Sequence, residues 1–576
     1  MISHKSPISG IAAYQDKYVA TAGYDNQVIL WDQATERPVT RVLHDHLANQ
    51  CAFSPDGTLL VTSSSDYTAR LWSVPDLRLR AVLNDQTDDV EMSAFHPNLE
   101  LVATASRDHG LRVYDFAGNL VHRCAGHTAD VISVDWSRDG KEVVTSSDDG
   151  TVKRWSSATG ELIEDIDLGG VETDTVVIGP DGTIYAGNDE GQIIAISGQR
   201  RTVVPGHDAG IKRLVLDADR NLLVSLSYDR KLILWDTAGD QPRRVGQSDI
   251  PDDVWPRSCA FAAGSTLVFG TFGATYRTYD YERDAWKAGD VPPTPGVNAV
   301  CAHAGSVLTV GDAGIVLRDG VAQASMGSLC NFLTPLSSLV VTGGQLGRLM
   351  DAGTGRLLHQ HRSPLNCGVA FSADGVEHLL VGAYTGEGLV FRLDPDGELR
   401  HVVDLPLHAN AVKGVAVSGD LLFSVCADTS VAWHDTRTLE PVHRIEEAHD
   451  RIANGCVGLG RGRFASVGRD LRLRIWEPDF TAAVVATAHP NSIKCVTADD
   501  TGRLVATGSY HGHVKVYDRR SGTWTVQERP TTSGISSLAH DPVRRLFLAG
   551  SYDGAVYEIA EIAGTSGTAE IAGEAT

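Results

Sequence analysis

The chain is poor in the features that mark secreted, membrane-embedded or metal-dependent proteins. Its nine cysteines stand singly at positions 51, 124, 259, 301, 330, 367, 426, 456 and 495, without a CxxC pair, which excludes the common zinc and dithiol motifs. Most fall in apolar runs such as Gln50-Cys51-Ala52-Phe53 and read as small buried hydrophobes of a reducing compartment. No stretch of 18 consecutive apolar residues occurs, and the first twenty residues lack the apolar core of a signal peptide. The expectation is a cytoplasmic protein without a membrane partner. Basic residues are outnumbered, 50 against 73 acidic, giving a formal charge of -23. Such a charge repels nucleic acid and acidic head groups, so a nucleic-acid adaptor would need a local basic patch. Phosphate-binding GxxxxGK[ST], GxSxG, HExxH and EF-hand patterns are all absent, and no cofactor is expected.

What the chain does contain is a repeat. With 42% hydrophobic residues in 576, it can bury more than one core, because single cores rarely grow beyond about 250–300 residues. Segments ending in an aromatic and an acid or its relic recur at Val28–Asp32, Ala69–Ser73, Leu111–Asp115, Val152–Ser156, Leu232–Asp236, Leu473–Glu477 and Val514–Asp518. With weaker copies the end positions are 31, 72, 114, 155, 196, 235, 279, 318, 350, 393, 434, 476, 517 and 559, spaced by 39 to 44 residues except at 318–350. Within each unit, short β-branched or alternating stretches are separated by turn signals such as Ser54-Pro55-Asp56-Gly57. The spacing predicts four antiparallel strands per unit and no helix. Such a sheet buries its faces only against its neighbours, so copies stack radially into a ring.

The paired Gly126-His127 and Gly206-His207, with Trp31-Asp32 and Trp235-Asp236, make the chain resemble the WD-repeat β-propellers over nearly its whole length. The family most often has seven blades per ring, so fourteen units imply an all-β fold of two seven-bladed propellers in tandem. The densest proline cluster, Val291-Pro292-Pro293-Thr294-Pro295-Gly296, supplies a seam, because prolines cannot donate to a β-ladder. The expected domains are therefore 1–291 and a more degenerate 296–576. No spare strand precedes His4 to latch the first ring. The C-terminal run Glu561–Thr576 either supplies the outer strand of the last blade or frays from it.

Five units carry a His, a Thr or Ser 17 or 18 residues on, an Asp four further and a Trp six beyond that. They are His4, Thr21, Asp25, Trp31; His44, Thr62, Asp66, Trp72; His127, Thr145, Asp149, Trp155; His207, Ser225, Asp229, Trp235; and His449, Ser466, Asp470, Trp476. Hydroxyl, imidazole and carboxylate are the parts of a nucleophilic triad. An active site is needed once, however, and a device that recurs every 41 residues or so serves the blade. The resemblance implies the same: a hydrogen-bonded structural chain from the second-to-third-strand turn to the third-strand Trp. Gln86 stands for His in blade 3, His434 for Trp in blade 11 and His511 for Asp in blade 13, and blades 7 to 10 lack most of the set. His359, His361 and His378 form the one local histidine cluster in the weak blades, with no carboxylate or cysteine spaced to complete a metal site.

The leading functional reading is a non-enzymatic scaffold that binds a protein or peptide. The alternative is an enzyme with a pocket in the channel of the second propeller, where Asn298, Cys330 and Asn366 stand at first-strand starts and suit binding better than acid/base work. In the resembling family, the residue before the structural Asp points outward on the contact face. Here that register places Tyr24, Tyr228 and Phe272 beside Lys212 and Arg257 in the first ring, and Arg469, Tyr510 and Tyr552 beside Lys413 and Lys494 in the second. Aromatics next to cations have the composition of interface hot spots, and in so acidic a protein both mouths are expected to attract an acidic segment of a partner.

Overall fold

A computed structural model describes residues 2–561 and 570–571. The chain divides into two compact units, Met1–Pro293 and Thr294–Thr576. It forms fourteen four-stranded antiparallel sheets, each built from four strands consecutive in sequence, and the described residues include no helix. In each unit the first strands of seven sheets pack side by side in sequence order, and the last packs back on the first. Val254–Phe261 meets Ile8–Tyr14 in the first unit, and Ile535–Asp541 meets Val297–His303 in the second. Each unit is thus a closed ring of seven blades around a central channel.

Blade 1 shows why the sequence folds this way. Strands β1 (Ile8–Tyr14), β2 (Tyr18–Gly23) and β3 (Gln27–Asp32) are buried almost throughout, whereas β4 (Arg37–Leu43) alternates exposed and half-buried residues. The first three are sandwiched between neighbouring blades and therefore read as apolar or small runs. The outer strand has one face in water and reads with period two. Between β2 and β3 the chain reverses on Asp25-Asn26, with Asn26 at φ 67°. The equivalent turn of blade 13 uses Gly512 at φ 77°, where a Cβ would lie 2.1 Å from the Thr531 carbonyl oxygen. There glycine meets both a left-handed backbone and a close approach of the next blade.

Among the described residues, neither ring is latched by a shared strand. The first is closed by the His4 amide donating to the Ala274 carbonyl at 3.1 Å, Trp31 packed edge-on to Tyr276 at 5.8 Å and the Lys287–Glu36 ion pair. In the second, the Ser536 hydroxyl donates to the Val297 carbonyl and the Val300 amide donates to Ser537 Oγ at 3.3 Å. The outer strands beside the two seams are the shortest, Ala285–Trp286 and Glu570–Ile571. The latter pairs with Val556 and Tyr557 as the fourth strand of blade 14. The remainder of the C-terminal run expected to edge that blade lies outside the described residues. The division falls inside the proline cluster expected as the seam, and the segment packs on the blades: Pro293 bridges to Gly273, and Thr294 is buried. No helix is long and apolar enough to cross a membrane.

Candidate functional site

The five His-hydroxyl-Asp-Trp sets each assemble within one blade. In blade 4, Trp155 Nε1–H donates to Thr145 Oγ1 at 2.9 Å, Thr145 Oγ1 lies 2.8 Å from His127 Nε2, and His127 Nδ1 lies 2.8 Å from Asp149 Oδ2. The indole and hydroxyl both donate toward the imidazole, and the imidazole donates to the carboxylate. The corresponding His–Asp distances are 3.0 Å for His4–Asp25, 2.9 Å for His44–Asp66, 3.0 Å for His207–Asp229 and 3.1 Å for His449–Asp470. Thr21, Thr62, Ser225 and Ser466 complete the chains to Trp31, Trp72, Trp235 and Trp476. Burial works against an ionised Asp149, but the His127 ring, the Thr151 hydroxyl and the Thr128 amide hold its carboxyl well below the usual range. The hydroxyl that would have to attack a substrate is fully buried in every set, which leaves no route for one to reach it.

The drifted blades keep parts of the chain. Gln86 Nε2 donates to Thr104 Oγ1 at 2.9 Å in place of an imidazole. In blade 11, His408 bridges Ser424 and Ser430 at 2.8 and 2.7 Å. His408, Cys426 and Asp428 present ligand-type atoms within 4.8 Å of one another. The cation position there is taken by Arg444, 3.5 Å from His408 Nδ1 and 3.7 Å from Asp428. Blade 12 places Arg474 against His449 in the same way, so the cluster is a variant of the blade's own hydrogen-bonded chain. The histidines singled out in the weak blades separate: His359 stacks on His401, His378 on Phe371, and His361 turns to the Ser363 backbone.

The sequence reading missed a collar around each channel mouth. Nearly every first strand carries a β-bulge near its start, which leaves one carbonyl unpaired and turns the bulged residue toward the next blade. In the second unit the bulged residues are Asn298, Asn331, Asn366, Lys413, Asn454, Lys494 and Ser536. The four asparagines donate to the carbonyls of Cys330, Leu365, Val412 and Ile493 at 2.8 to 3.1 Å, each the residue just before the next bulge. Ser9 and Asn49 do the same in the first unit, to Ala48 and Val90 at 2.6 and 3.0 Å. A polar residue in second place of each first strand of the second unit was the available signal.

Charged residues take the bulged position at Glu91 and Lys212 in the first unit and at Lys413 and Lys494 in the second, and the two units differ in how those charges are met. In the second, Lys413 lies over the Tyr384 ring at 4.7 Å and Lys494 over Tyr510 at 5.9 Å. Tyr510 in turn stacks on Tyr552, with ring centroids 6.2 Å apart. Arg469, half-buried, sits on the blade between them. Cys367, Cys456 and Cys495 are half-exposed on the first strands rather than buried like the other six cysteines.

The first mouth departs from expectation. Lys212 lies 5.2 Å from the Tyr228 ring centroid, but its ammonium contacts Asp174 and, at 2.5 Å, Asp189. Arg257 pairs with Glu91 at 3.1 Å, and Glu91 and Asp130 both hold Arg107. Surplus carboxylates Asp148 and Glu172 stand beside these pairs. Burial, with Asp189 and Asp174 nearby, pushes the Glu172 carboxyl up to about 8. This mouth is acidic, because blades 4 and 5 place Asp148 and Asp189 at the register that holds Arg107 in blade 3 and Tyr228 in blade 6, and Glu91, Asp130, Glu172 and Asp174 stand at or just before first-strand starts. Two aromatics expected to point outward are buried instead. Phe272, 4% exposed, packs on Trp255 at 5.5 Å, and Tyr552, 8% exposed, is covered by Tyr510. Tyr24, half-buried, meets Trp255 edge-on at 5.1 Å. Trp255, seated in the long bulge of blade 7, fills the space those rings would face.

Fold and site together define a tandem repeat propeller, five of whose blades are held by complete His-hydroxyl-Asp-Trp chains and whose mouths are ringed by interblade collars. The pattern of the WD domain, G-beta repeat, matches residues 1–32, 37–73, 78–115, 118–156, 198–236 and 483–518. Six of the chain's repeats, five in the first unit and one in the second, are thus WD repeats. The chain is similar to the transcriptional corepressor LEUNIG_HOMOLOG of Arabidopsis thaliana, 24% identical over 270 residues, 39% of this chain and 34% of that protein. It is also similar to transcription initiation factor TFIID subunit 5 of Caenorhabditis elegans, 29% over 163 residues, 28% of this chain and 25% of that protein. A guanine nucleotide-binding protein subunit beta of Zea mays is 28% identical over 253 residues, 38% of this chain and 67% of its own length. The matched segments thus span about a third or less of the first two relatives.

Proposed function

We propose that the protein is a non-enzymatic interaction scaffold and that the mouth of its second propeller receives an acidic segment of a partner protein. The similar proteins carry the names of a transcriptional corepressor and of subunits of TFIID and of a guanine nucleotide-binding protein. The observation that carries the reading is the pairing of Lys413 with Tyr384 and Lys494 with Tyr510 on the collar of the second unit. A cation held over an aromatic face keeps its charge at a fixed place above apolar surface, which is how a few residues come to dominate an interface. On a protein of net charge -23, this mouth is where an anionic side chain gains most. The first mouth, with its cations held by carboxylates, does not share this role.

The test is the triple reversal K413E/K494E/R469E in the full chain, with folding confirmed by circular dichroism, followed by affinity capture from the native cell. Partners captured by the wild type and lost by the variant are expected, while the matched reversal of Lys212 and Arg257 leaves them bound. An unchanged partner set would overturn the assignment.

A further inference from the structure

Below the acidic collar, the channel of the first unit is crossed by one side chain. Arg213, next to the bulged Lys212 of blade 6, reaches across to blade 3, where its Nη1 lies 3.3 Å from Met92 Sδ. A thioether is a weak acceptor. Arg213 Nε is buried with no hydrogen-bond acceptor, and among the described residues no carboxylate lies within ion-pair distance of the guanidinium. The groups that face it are the Cys51 thiol from blade 2, Met92 from blade 3, Asp135 from blade 4 and the Cys259 thiol from blade 7. Burial pushes both thiols up to about 12, so they are neutral near pH 7. Asp135 is committed elsewhere, accepting from the Ile178 amide at 3.0 Å and the Trp136 amide at 2.9 Å. The layer above holds Glu91 with Arg107 and Arg257, and Asp174 with Lys212, as closed pairs. Arg213, Met92 and Asp135 all remain partly exposed although the blades surround them, so open channel space adjoins them.

An arginine cannot shed its proton to escape such a site, so its charge must be met by something else. We propose that the channel of the first propeller is a binding site for a small anion, held by the Arg213 guanidinium. Chloride and inorganic phosphate are the probes for it. Asp135 is the acidic neighbour that opposes it. Burial, relieved only in part by the two amides, pushes its carboxyl up to about 6, so it carries charge at pH 7.5 and loses most of it by pH 5. The site therefore tightens on acidification and tightens when Asp135 is neutralised.

The test is calorimetric titration of the full chain with sodium chloride and, separately, sodium phosphate at pH 7.5, in a sodium gluconate background of constant ionic strength. The expected result is saturable binding of at least one of the two at one site per chain, weakened at least tenfold in R213M and strengthened several-fold in D135N. With chloride, moving the wild type from pH 7.5 to 5.5 strengthens binding and moving D135N does not. R213Q, which keeps a polar side chain in the channel, replaces R213M if the latter does not fold. Absence of saturable binding of both anions, or equal binding by the wild type and the Arg213 variants, would overturn the proposal. So would an affinity that D135N leaves unchanged.

Discussion

At the scale of single residues, position decides the meaning of a side chain. His127, Thr145 and Asp149 have the identities of a hydrolytic triad, yet they tie a turn to a third strand through Trp155. Breaking such a buried polar chain leaves a donor or acceptor unsatisfied in the low-dielectric interior. His127→Ala or Asp149→Asn is accordingly expected to cost about 1–3 kcal/mol of stability, read by denaturant unfolding, while partner capture by the second propeller is unaffected. Loss of a function without loss of stability would instead mark the chain as a working site.

At the scale of the element, the blade is a four-strand unit whose weakest point is the turn carrying the structural Asp. Gly512→Ala would force a Cβ into a left-handed turn and against the Thr531 carbonyl, and an expected loss of about 2 kcal/mol should appear as a lowered melting temperature. The blades were legible in the sequence because each carries its own period: buried runs in three strands, alternation in the fourth, and Asp with Gly or Asn at the reversal. The five complete sets were legible for the same reason, since all four residues lie within about 30 positions of one another. The collar was not. The Asn366 amide finds its carbonyl at Val412, 46 residues on, and nothing local to Asn366 announces a partner in the next blade. The pairing of Lys212 with Asp174 was hidden similarly, across 38 residues, so a cation legible in sequence lost its availability in space. Phe272 was placed on the surface by register, but the packing of Trp255 on it depends on the irregular bulge of blade 7.

At the scale of the whole molecule, the two propellers store opposite responses to pH. Carboxyls raised by burial belong to the first unit: Asp135 to about 6, Glu172 to about 8, and Asp148 and Asp189 in the same direction. A carboxyl whose folded pKa exceeds its unfolded value binds more protons when folded, so stability falls as pH rises from about 4.5 through 8. Histidines lowered by burial gather in the second unit: His408 to about 4, His489 to about 3, and His359, His434, His449 and His513 downward. These stay neutral in the fold, so their contribution is intact above about 6.5 and is lost as pH falls toward their folded values. Moving from pH 8 to pH 5 should therefore increase amide-exchange protection in residues 1–293 and decrease it in 294–576, and Glu172→Gln should raise protection of the first half at pH 8 but not at pH 5. Closure without a shared strand has a further consequence. Because among the described residues no blade borrows a strand across the seam, the joint between blade 7 and blade 1 rests on backbone and side-chain contacts without a peptide connection. A circular permutant of the first propeller, joined across that seam and opened at another interblade turn, would keep all four strands of every blade together.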